Sequence, residues 1–382
     1  MSRNLKNRLR YIRDVRKDSA AQKTGPALRP KGAELNESPW PGWFEAGFMV
    51  YKRELTRELP FSLSAPFSEA LAILVPDLFR IGRIPLPGEL LFFDLETTGL
   101  SGGAGTVAFL AAFGRFSPQG KLVITQYLLL DYPGEADFVE SVKSEFASPR
   151  SPNPIVVSYN GKCFDAQILK TRCLMNGLVP PEFFHVDLLH PARRLWKGQF
   201  SDCSQATIEV SALGLDRSGD ISGAFAPEIW FSFLRSGENK DLLVICEHNV
   251  KDIMGLASLF LGFHEIASEP FESRKKFRFC QEALALSWQA AVKKNAAFLA
   301  EKKSYQKQLE TGKLLLKNAA HNGCPRAAFT LYKSLAIEAE WRLRDNLLAL
   351  CYTKSALSTP EITGRFRSEL ELRLKRLEEK TG

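Results

Sequence analysis

The sequence of 382 residues predicts an α/β core followed by an all-α segment. Three apolar strand patterns lie near residues 89–96, 105–116 and 121–131, and short turns rich in glycine separate them. Such spacing is typical of an antiparallel meander. Beyond it, helical and strand patterns alternate up to residue 262, which indicates a mixed sheet with helices on both faces. After residue 270 no strand pattern remains.

Composition divides the rest of the chain. Residues 1–45 are first charged and then rich in proline and glycine, so we expect a flexible tail. Residues 46–87 form a lead-in segment whose structure the sequence leaves open. The core domain is expected over residues 88–265. It should contain helices at 135–147 and 165–176 and strands at 154–159 and 184–188.

The segment 270–382 is predicted to be a separate helical domain. Its apolar spacing indicates helices at 283–300, 305–320, 325–339 and 344–358. Pairs of helices joined by short turns are typical of an α-solenoid of the tetratricopeptide type. A plain helical bundle is the alternative.

The most informative motif is a pair of carboxylates at the end of the first core strand. Asp94 and Glu96 follow the apolar run Leu91-Phe92-Phe93. Because alternate residues of a strand project to the same face, the two carboxylates should stand side by side. Carboxylates in apolar surroundings are costly unless they are paired or bound to a cation. No Lys or Arg lies nearby in the sequence, so a divalent metal is the functional interpretation and an acidic strand end is the plain one.

Two later segments supply candidate partners for this pair. The turn at Asn160 follows a short strand, and Asp165 opens the next helix, where it could also be only a capping residue. A helical pattern over 242–260 places His248 and Asp252 one turn apart on one face. Each signal is weak alone. Together, D-x-E on a first strand, N-x-x-x-x-D at a junction and H-x-x-x-D on a late helix indicate one composite site.

These segments resemble the three exonuclease motifs of the DEDD nucleases, which have a ribonuclease H-like fold, and in particular those of the bacterial YprB-type predicted exonucleases. The matching stretches are residues 94–106, 159–165, 187–196 and 248–252, within a region of about 88–262. DEDD enzymes usually carry a tyrosine four residues before the last aspartate or a histidine five before it. Here residue 247 is Glu, and His248 stands at the tyrosine spacing.

The resemblance implies a metal-dependent nuclease that acts at a nucleic-acid end, as a 3′-5′ exonuclease with two Mg²⁺ or Mn²⁺ ions. Both ions prefer oxygen ligands, and a pair of them supports in-line displacement at phosphorus. The implied metal ligands are Asp94, Glu96, Asp165 and Asp252, while His248 would orient or deprotonate the attacking water. Two alternatives stay open: a catalytically idle scaffold that binds nucleic acid or protein, and an endonuclease that cuts RNA in a hybrid.

The glycine run that begins at Gly99 lacks the Lys-Ser/Thr pair of a phosphate-binding loop. A tight turn is its plain interpretation. The resemblance implies that the backbone at Thr98 and Gly99 approaches a terminal nucleotide, with Leu100 against the last base. Asn160 is assigned to the same group of nucleic-acid contacts.

Positive charge is concentrated at the two ends of the chain. Residues 1–32 hold ten Lys or Arg and two Asp, a net charge of +8, and residues 270–382 carry +10. The segment between them is left with −10, so we expect the flanks to attract phosphates and the core to require metal ions. Arg193 and Arg194, on a predicted helix, are candidate phosphate contacts or ordinary surface charges. The helical domain is a candidate surface for a protein partner.

Seven cysteines without C-x-x-C spacing argue against a zinc site and against a disulfide framework. They favour a reducing compartment, and we expect the bacterial cytoplasm, with an organelle transit peptide as the second interpretation of the Arg-rich start. No stretch approaches the roughly 18 apolar residues of a membrane span, so no membrane association is expected.

Overall fold

The computed structural model describes residues 40–63, 66–99, 105–147, 153–360 and 364–381. Its centre is one seven-stranded mixed sheet with the strand order β1-β2-β5-β4-β3-β6-β7. The strands are β1 (Phe44–Gly47), β2 (Val50–Arg57), β3 (Leu90–Thr97), β4 (Ala108–Phe116), β5 (Leu122–Leu129), β6 (Ile155–Ser158) and β7 (Phe184–Asp187).

The predicted antiparallel meander is confirmed. Strand β3 pairs with β4 and β4 pairs with β5, both antiparallel, and the paired residues include Asp94 with Ala112 and Glu96 with Leu110. On its other side β3 pairs with β6 in parallel, and β6 pairs in parallel with β7. Because β3 and β6 run in the same direction, the turn after β6 lies at the sheet edge where Asp94 and Glu96 stand.

The lead-in segment adds a β-hairpin to the sheet. Strands β1 and β2 pair antiparallel with each other, and β2 pairs along its whole length with β5. Composition predicts a flexible tail over residues 1–45, yet Trp43 is buried in the core and β1 begins at Phe44. A buried tryptophan anchors these residues to the fold because it removes a large apolar surface from water. Residues 1–39 of the expected tail lie outside the described residues.

Helices cover both faces of the sheet, as predicted. Along β3, Phe92 joins one apolar cluster, while Leu91, Phe93 and Leu95 join the cluster on the opposite face. This alternation is the two-residue period of a strand buried on both sides. The helices up to residue 268 are α1 (Leu71–Leu74), α2 (Asp77–Ile81), α3 (Glu135–Ser144), α4 (Asp165–Met175), α5 (Leu189–Trp196), α6 (Gln205–Ser211), α7 (Ala226–Ser236) and α8 (Lys240–Ser268).

The long helix α8, of 29 residues, lies against the face of β3 from which Phe92 projects. Its residues Ile253 and Phe260 share a core cluster with Phe92, so the helix is fixed against the central strand. Within the described ranges, no helix, α8 included, combines the length and the apolar character needed to cross a membrane.

The part of the chain after residue 270 is helical, which confirms the all-α prediction. Its helices are α9 (Gln281–Lys294), α10 (Ala296–Glu301), α11 (Tyr305–His321), α12 (Pro325–Glu338), α13 (Asn346–Leu357) and α14 (Arg365–Thr381). The predicted helix 283–300 is divided at Asn295, and α14 was not predicted. The tetratricopeptide-like character and the division of the chain into domains stay predictions.

Candidate active site

Strand β3 delivers two carboxylates toward helix α8. Asp94 and Glu96 alternate with Leu95, so they project from the face that also carries Phe92. Glu96 is 9% exposed, although it stands at the end of the strand. The alternation that the sequence analysis used therefore places both carboxylates in a site enclosed by the sheet and by α8.

Helix α8 brings a histidine and a third carboxylate to the same place. One ligand atom each from Glu96, His248 and Asp252 can be chosen so that all three lie within 4.8 Å of one another. The Nε2 atom of His248 lies 3.2 Å from an oxygen of Asp252, as expected for residues one helical turn apart. The structure thus unites motifs that are more than 150 residues apart in the chain.

Asp165 is the first residue of α4 and is buried. The capping position belongs to Phe164, and no side chain caps this helix, so the plain interpretation of Asp165 as a capping residue does not apply. The nearby turn depends on Gly161. A Cβ atom there would lie 2.4 Å from Ser158 Oγ and 3.0 Å from Asp165 Oδ2, so only glycine lets the turn pass this close to the carboxylate.

The carboxylates raise one another's pKa values. Burial, followed by repulsion from Asp165, Asp252 and Glu96, raises the pKa of Asp94 well above its ordinary value. Burial and repulsion from Asp252 and Asp165 act in the same way on Glu96. For Asp165, burial raises the pKa to about 7, against the lowering effect of backbone N–H groups.

A bound cation would relieve this repulsion. Within the described part of the chain, no Lys or Arg forms an ion pair with Asp94, Glu96 or Asp165. Carboxylates that are withdrawn from water, as Glu96 and Asp165 are largely and Asp94 is partly, fit a divalent cation when no positive side chain pairs with them. Their oxygen atoms are the ligands that Mg²⁺ and Mn²⁺ prefer. The donor set of this site therefore suits the predicted metal.

An arginine that the sequence analysis missed lies beside the fourth carboxylate. Arg217 donates Nη2–H to Asp252 at 2.5 Å, Nη1–H to Asp220 at 2.7 Å and Nε–H to Glu209 at 2.6 Å. Burial lowers the pKa of Arg217, but the carboxylates of Asp252 and Glu209 raise it above its ordinary value overall. Because the carboxylates come from different segments, Arg217 holds the connection between α6 and α7 against α8. Asp252 is thus the carboxylate of the set that already has a cationic partner.

Asp220 orients His248. Its Oδ1 atom lies 3.0 Å from His248 Nδ1. Burial raises the pKa of Asp220, but hydrogen bonds from His248 and Arg217 lower it below its ordinary value overall, so the carboxylate is ionised and can only accept. The Nδ1 atom therefore carries the proton, and Nε2 faces Glu96 and Asp252.

The backbone at Gly223 leaves room in front of His248. A Cβ atom at this position would lie 3.0 Å from Nε2 and 3.9 Å from Glu96 Oε1. The short 3₁₀ helix Gly223–Phe225 thus passes directly over the imidazole and the carboxylate. Gly223 lies outside the motifs that contain Glu96 and His248, so the sequence offered no signal that could have identified it.

The residues that were predicted to contact nucleic acid differ in what the structure shows of them. Thr98 Oγ1 accepts a hydrogen bond from the backbone of Val107, which gives it a role in closing the turn. Gly99 ends the described part of that turn, and Leu100 lies outside the described residues. Asn160 is exposed and has a φ of 65°, a left-handed conformation that asparagine adopts more readily than most residues.

The two candidate arginines project from α5. Arg193 and Arg194 are both exposed, whereas their neighbours Leu195 and Trp196 are buried. Arg193 is close enough to lower the pKa of Tyr159, although burial raises that pKa overall. Tyr159 is the residue before Asn160, so Arg193 lies on the side of the molecule that carries the turn after β6.

Comparison with known proteins agrees with this geometry. Residues 91–261 match the family RNase_H_2, described as RNase_H superfamily. This segment has the ribonuclease H-like fold. A relative from Bacillus subtilis (strain 168), named "Uncharacterized protein YprB", is 39% identical over 176 residues. That similarity covers 45% of this chain and 41% of the relative, so less than half of either protein is compared.

Proposed function

We propose that this protein is a metal-dependent nuclease that hydrolyses phosphodiester bonds at a nucleic-acid end, as a 3′-5′ exonuclease. The observation that carries the proposal is the approach of Glu96, His248 and Asp252 to within 4.8 Å, beside the half-buried Asp94 and the buried Asp165. Among the residues that the structure describes, no Lys or Arg forms an ion pair with Asp94 or Asp165. The ribonuclease H-like segment supports the reaction class. The preference for an end rests on the resemblance to the DEDD exonuclease motifs.

Asp94, Glu96, Asp165 and Asp252 would hold two ions of Mg²⁺ or Mn²⁺. When bound, such ions make a water molecule more acidic and stabilise the charge that develops on the phosphate and the leaving oxygen. Arg217 keeps Asp252 in place through its hydrogen bond to Oδ1.

His248 would act on the attacking water. With Nδ1–H donated to Asp220, the lone pair on Nε2 is directed into the site and can accept a proton. A proton on Nε2 would then be held between the imidazole and the Asp252 oxygen 3.2 Å away. This arrangement suits the role that tyrosine fills at the same spacing in the enzymes that this chain resembles.

The substrate would be a DNA or RNA strand. Asn160, Arg193 and Arg194 are proposed to contact the strand, because all three are exposed and the first two lie on the side of the turn after β6. Thr98, Gly99 and Leu100 are proposed to contact the terminal nucleotide.

We propose that the protein acts in the cytoplasm, since the cysteines at all seven positions are free thiols.

A labelled-oligonucleotide assay with Mg²⁺ or Mn²⁺ tests the proposal. Wild-type protein should shorten a 5′-labelled strand progressively from its 3′ end, and Asp94→Ala should abolish cleavage while the protein stays folded. His248→Ala should lose roughly 10²–10⁴-fold in rate, the usual contribution of a positioned acid–base group, and His248→Tyr should retain part of the activity.

Other outcomes of the assay would indicate a different function or mechanism. Internal cuts would indicate an endonuclease, and binding without cleavage would indicate an idle scaffold. Full activity of Asp94→Ala would refute the mechanism, and a wild-type rate for His248→Ala would remove this histidine from it. Glu182→Gln is a control and should not alter the rate, because this exposed carboxylate precedes β7 and so lies at the sheet edge opposite to the site.

A further inference from the structure

A row of buried polar side chains leads from the β-hairpin to Asp94. Arg53 Nε–H donates to Gln126 Oε1 at 2.6 Å, Gln126 Nε2–H donates to Asn249 Oδ1 at 2.8 Å, and Asn249 Nδ2–H donates to Asp94 Oδ2 at 2.7 Å. Gln126 and Asn249 are completely buried, and Arg53 is 8% exposed. We call these three residues, Arg53, Gln126 and Asn249, the amide relay.

The groups at the two ends of the amide relay, the Arg53 guanidinium and the Asp94 carboxylate, determine the direction of every hydrogen bond in it. Arginine can only donate, so the Gln126 oxygen must face Arg53 and its NH₂ group must face inward. The carbonyl of Cys246, which can only accept, lies 2.9 Å from the same NH₂ group and imposes the same orientation. The Asn249 oxygen must then face Gln126, and its N–H must face Asp94.

An amide presented the other way round would repel the carboxylate. The oxygen of Asn249 would then oppose Asp94 Oδ2, adding to the repulsion from the three neighbouring carboxylates. Buried polar networks have this strict requirement because an unpaired group in low dielectric is costly. With the orientation observed, one oxygen of Asp94 is held and the other is left for a ligand.

We propose that Asn249 and Gln126 are positioning residues for Asp94, and that Arg53 and the Cys246 carbonyl together set their orientation. The proposal rests on the proposed function, because it treats Asp94 as a metal ligand. Partners that hold a metal ligand in place commonly contribute 10–100-fold to metal affinity or activity. The hairpin, which lies outside residues 91–261, would thereby contribute to the site through Arg53.

The anchoring of Arg53 supports this assignment. Its guanidinium lies 4.7 Å from the ring centre of Trp43 and its Nη1 lies 2.7 Å from Glu247 Oε1. Glu247 stands on α8 next to His248, so the arginine also connects the hairpin to the helix that carries the site. Strand β2 thus has a fixed position relative to Asp94.

Binding of Mn²⁺ to the full-length protein, measured by isothermal titration calorimetry, tests the proposal without any substrate. Asn249→Leu should weaken Mn²⁺ binding by about 10–100-fold, and Gln126→Met by about 10-fold. Arg53→Met should have a smaller effect, because the Cys246 carbonyl still orients Gln126. The double variant Asn249→Leu/Gln126→Met should bind Mn²⁺ no more weakly than Asn249→Leu alone. The effects of substitutions within one network are not additive, because Gln126 acts on Asp94 only through Asn249.

Gln308→Met is the matched control, because this glutamine is also buried but lies on α11 in the helical segment. It should change the unfolding temperature in EDTA without changing the Mn²⁺ affinity. Unchanged Mn²⁺ affinity in both Asn249→Leu and Gln126→Met would overturn the amide relay, as would losses that multiply in the double variant. If Asn249→Leu does not fold, Gln126→Met and Arg53→Met decide the question.

The same experiment separates the amide relay from the proposed function. A wild-type protein that binds Mn²⁺, responds to these substitutions as expected and cleaves no nucleic acid would refute the nuclease and keep the relay. A wild-type protein that binds no Mn²⁺ would refute both.

Discussion

At the scale of single residues, the site is a compromise between charge and burial. Burial and repulsion from neighbouring carboxylates raise the pKa values of Asp94 and Glu96. Burial, with repulsion from Asp187, raises the pKa of Asp165. In the absence of metal, the free energy of unfolding is reduced at any pH at which these groups are ionised. Function and stability therefore conflict at this position, as is common where like charges are gathered for catalysis.

This conflict predicts an unusual dependence of stability on pH. The pKa of Asp165 is raised from 3.8 to about 7, mainly by burial, so its neutral form is favoured in the folded state. Its stabilising contribution is complete below about pH 4 and is lost as the pH rises toward 7. In EDTA, the wild-type protein should lose roughly 2–4 kcal/mol more free energy of unfolding than Asp165→Asn between pH 4 and pH 7.5.

Urea unfolding of both proteins at a series of pH values checks this expectation. Saturating Mn²⁺ should reduce the difference, since a bound cation favours the ionised carboxylate. Curves for wild type and Asp165→Asn that run parallel across this range would show that Asp165 has an ordinary pKa. Replacement of the exposed Glu182 by Gln provides the comparison for a carboxylate outside the site.

At the scale of elements, helix α8 and the loop segments around it determine the site. The helix carries His248, Asn249 and Asp252, and the segment after α6 adds Arg217 and Asp220. Close packing between α6 and α8 occurs at Gly255. A Cβ atom on this residue would lie 1.7 Å from Glu209 Oε1, a contact that the buried Glu209 cannot avoid by a small adjustment.

Gly255→Ala should therefore destabilise the protein by several kcal/mol, as overpacking and the loss of a buried ion pair do. Displacement of Glu209 would free Arg217 Nε, and cleavage should fall as Asp252 loses a rigid partner. Gly262→Ala in the same helix is the control, because its Cβ would meet only a flexible leucine side chain at 3.1 Å. Equal unfolding free energies for the two variants would refute this account of the α6–α8 contact.

At the scale of the whole molecule, the basic residues that can attract nucleic acid and the acidic residues of the site lie in different parts of the chain. The two flanks of the chain carry +8 and +10, while residues 33–269 carry −10. An acidic core repels a polyanion in the absence of metal, and the basic flanks release counterions from phosphates. On this basis most of the binding free energy for long substrates should originate outside the ribonuclease H-like segment.

Removal of residues 1–32 should weaken binding to long strands and flatten its dependence on salt. The ten basic residues lost can neutralise several phosphates, and each phosphate contact contributes about 0.7–0.9 to the slope of log affinity against log salt. The rate on a short oligonucleotide at saturation should stay unchanged. Fluorescence anisotropy at several salt concentrations measures the slopes. Identical slopes for the full-length and truncated proteins would assign recognition to Arg193, Arg194 and the helical segment.

The sequence alone determined the parts of this protein that depend on local pattern. The meander, the alternation of strands and helices and the carboxylate pair on β3 all follow from periodicity, because strand and helix periods are visible in neighbouring residues. His248 and Asp252 were found in the same way, since one helical turn separates them. Asp165 was a candidate from its place at the junction of a strand and a helix, and the resemblance to the exonuclease motifs then implied its role as a metal ligand.

Only the tertiary structure revealed the residues that hold this site together. Arg217, Asp220, Gln126 and Asn249 act through partners between 28 and 155 positions away in the chain, and no local spacing records such a contact. The hairpin was equally hidden, since its pairing with β5 and the burial of Trp43 depend on surfaces that exist only after folding. Periodicity predicts which face of an element is buried, whereas the packing of distant elements decides which polar groups meet there.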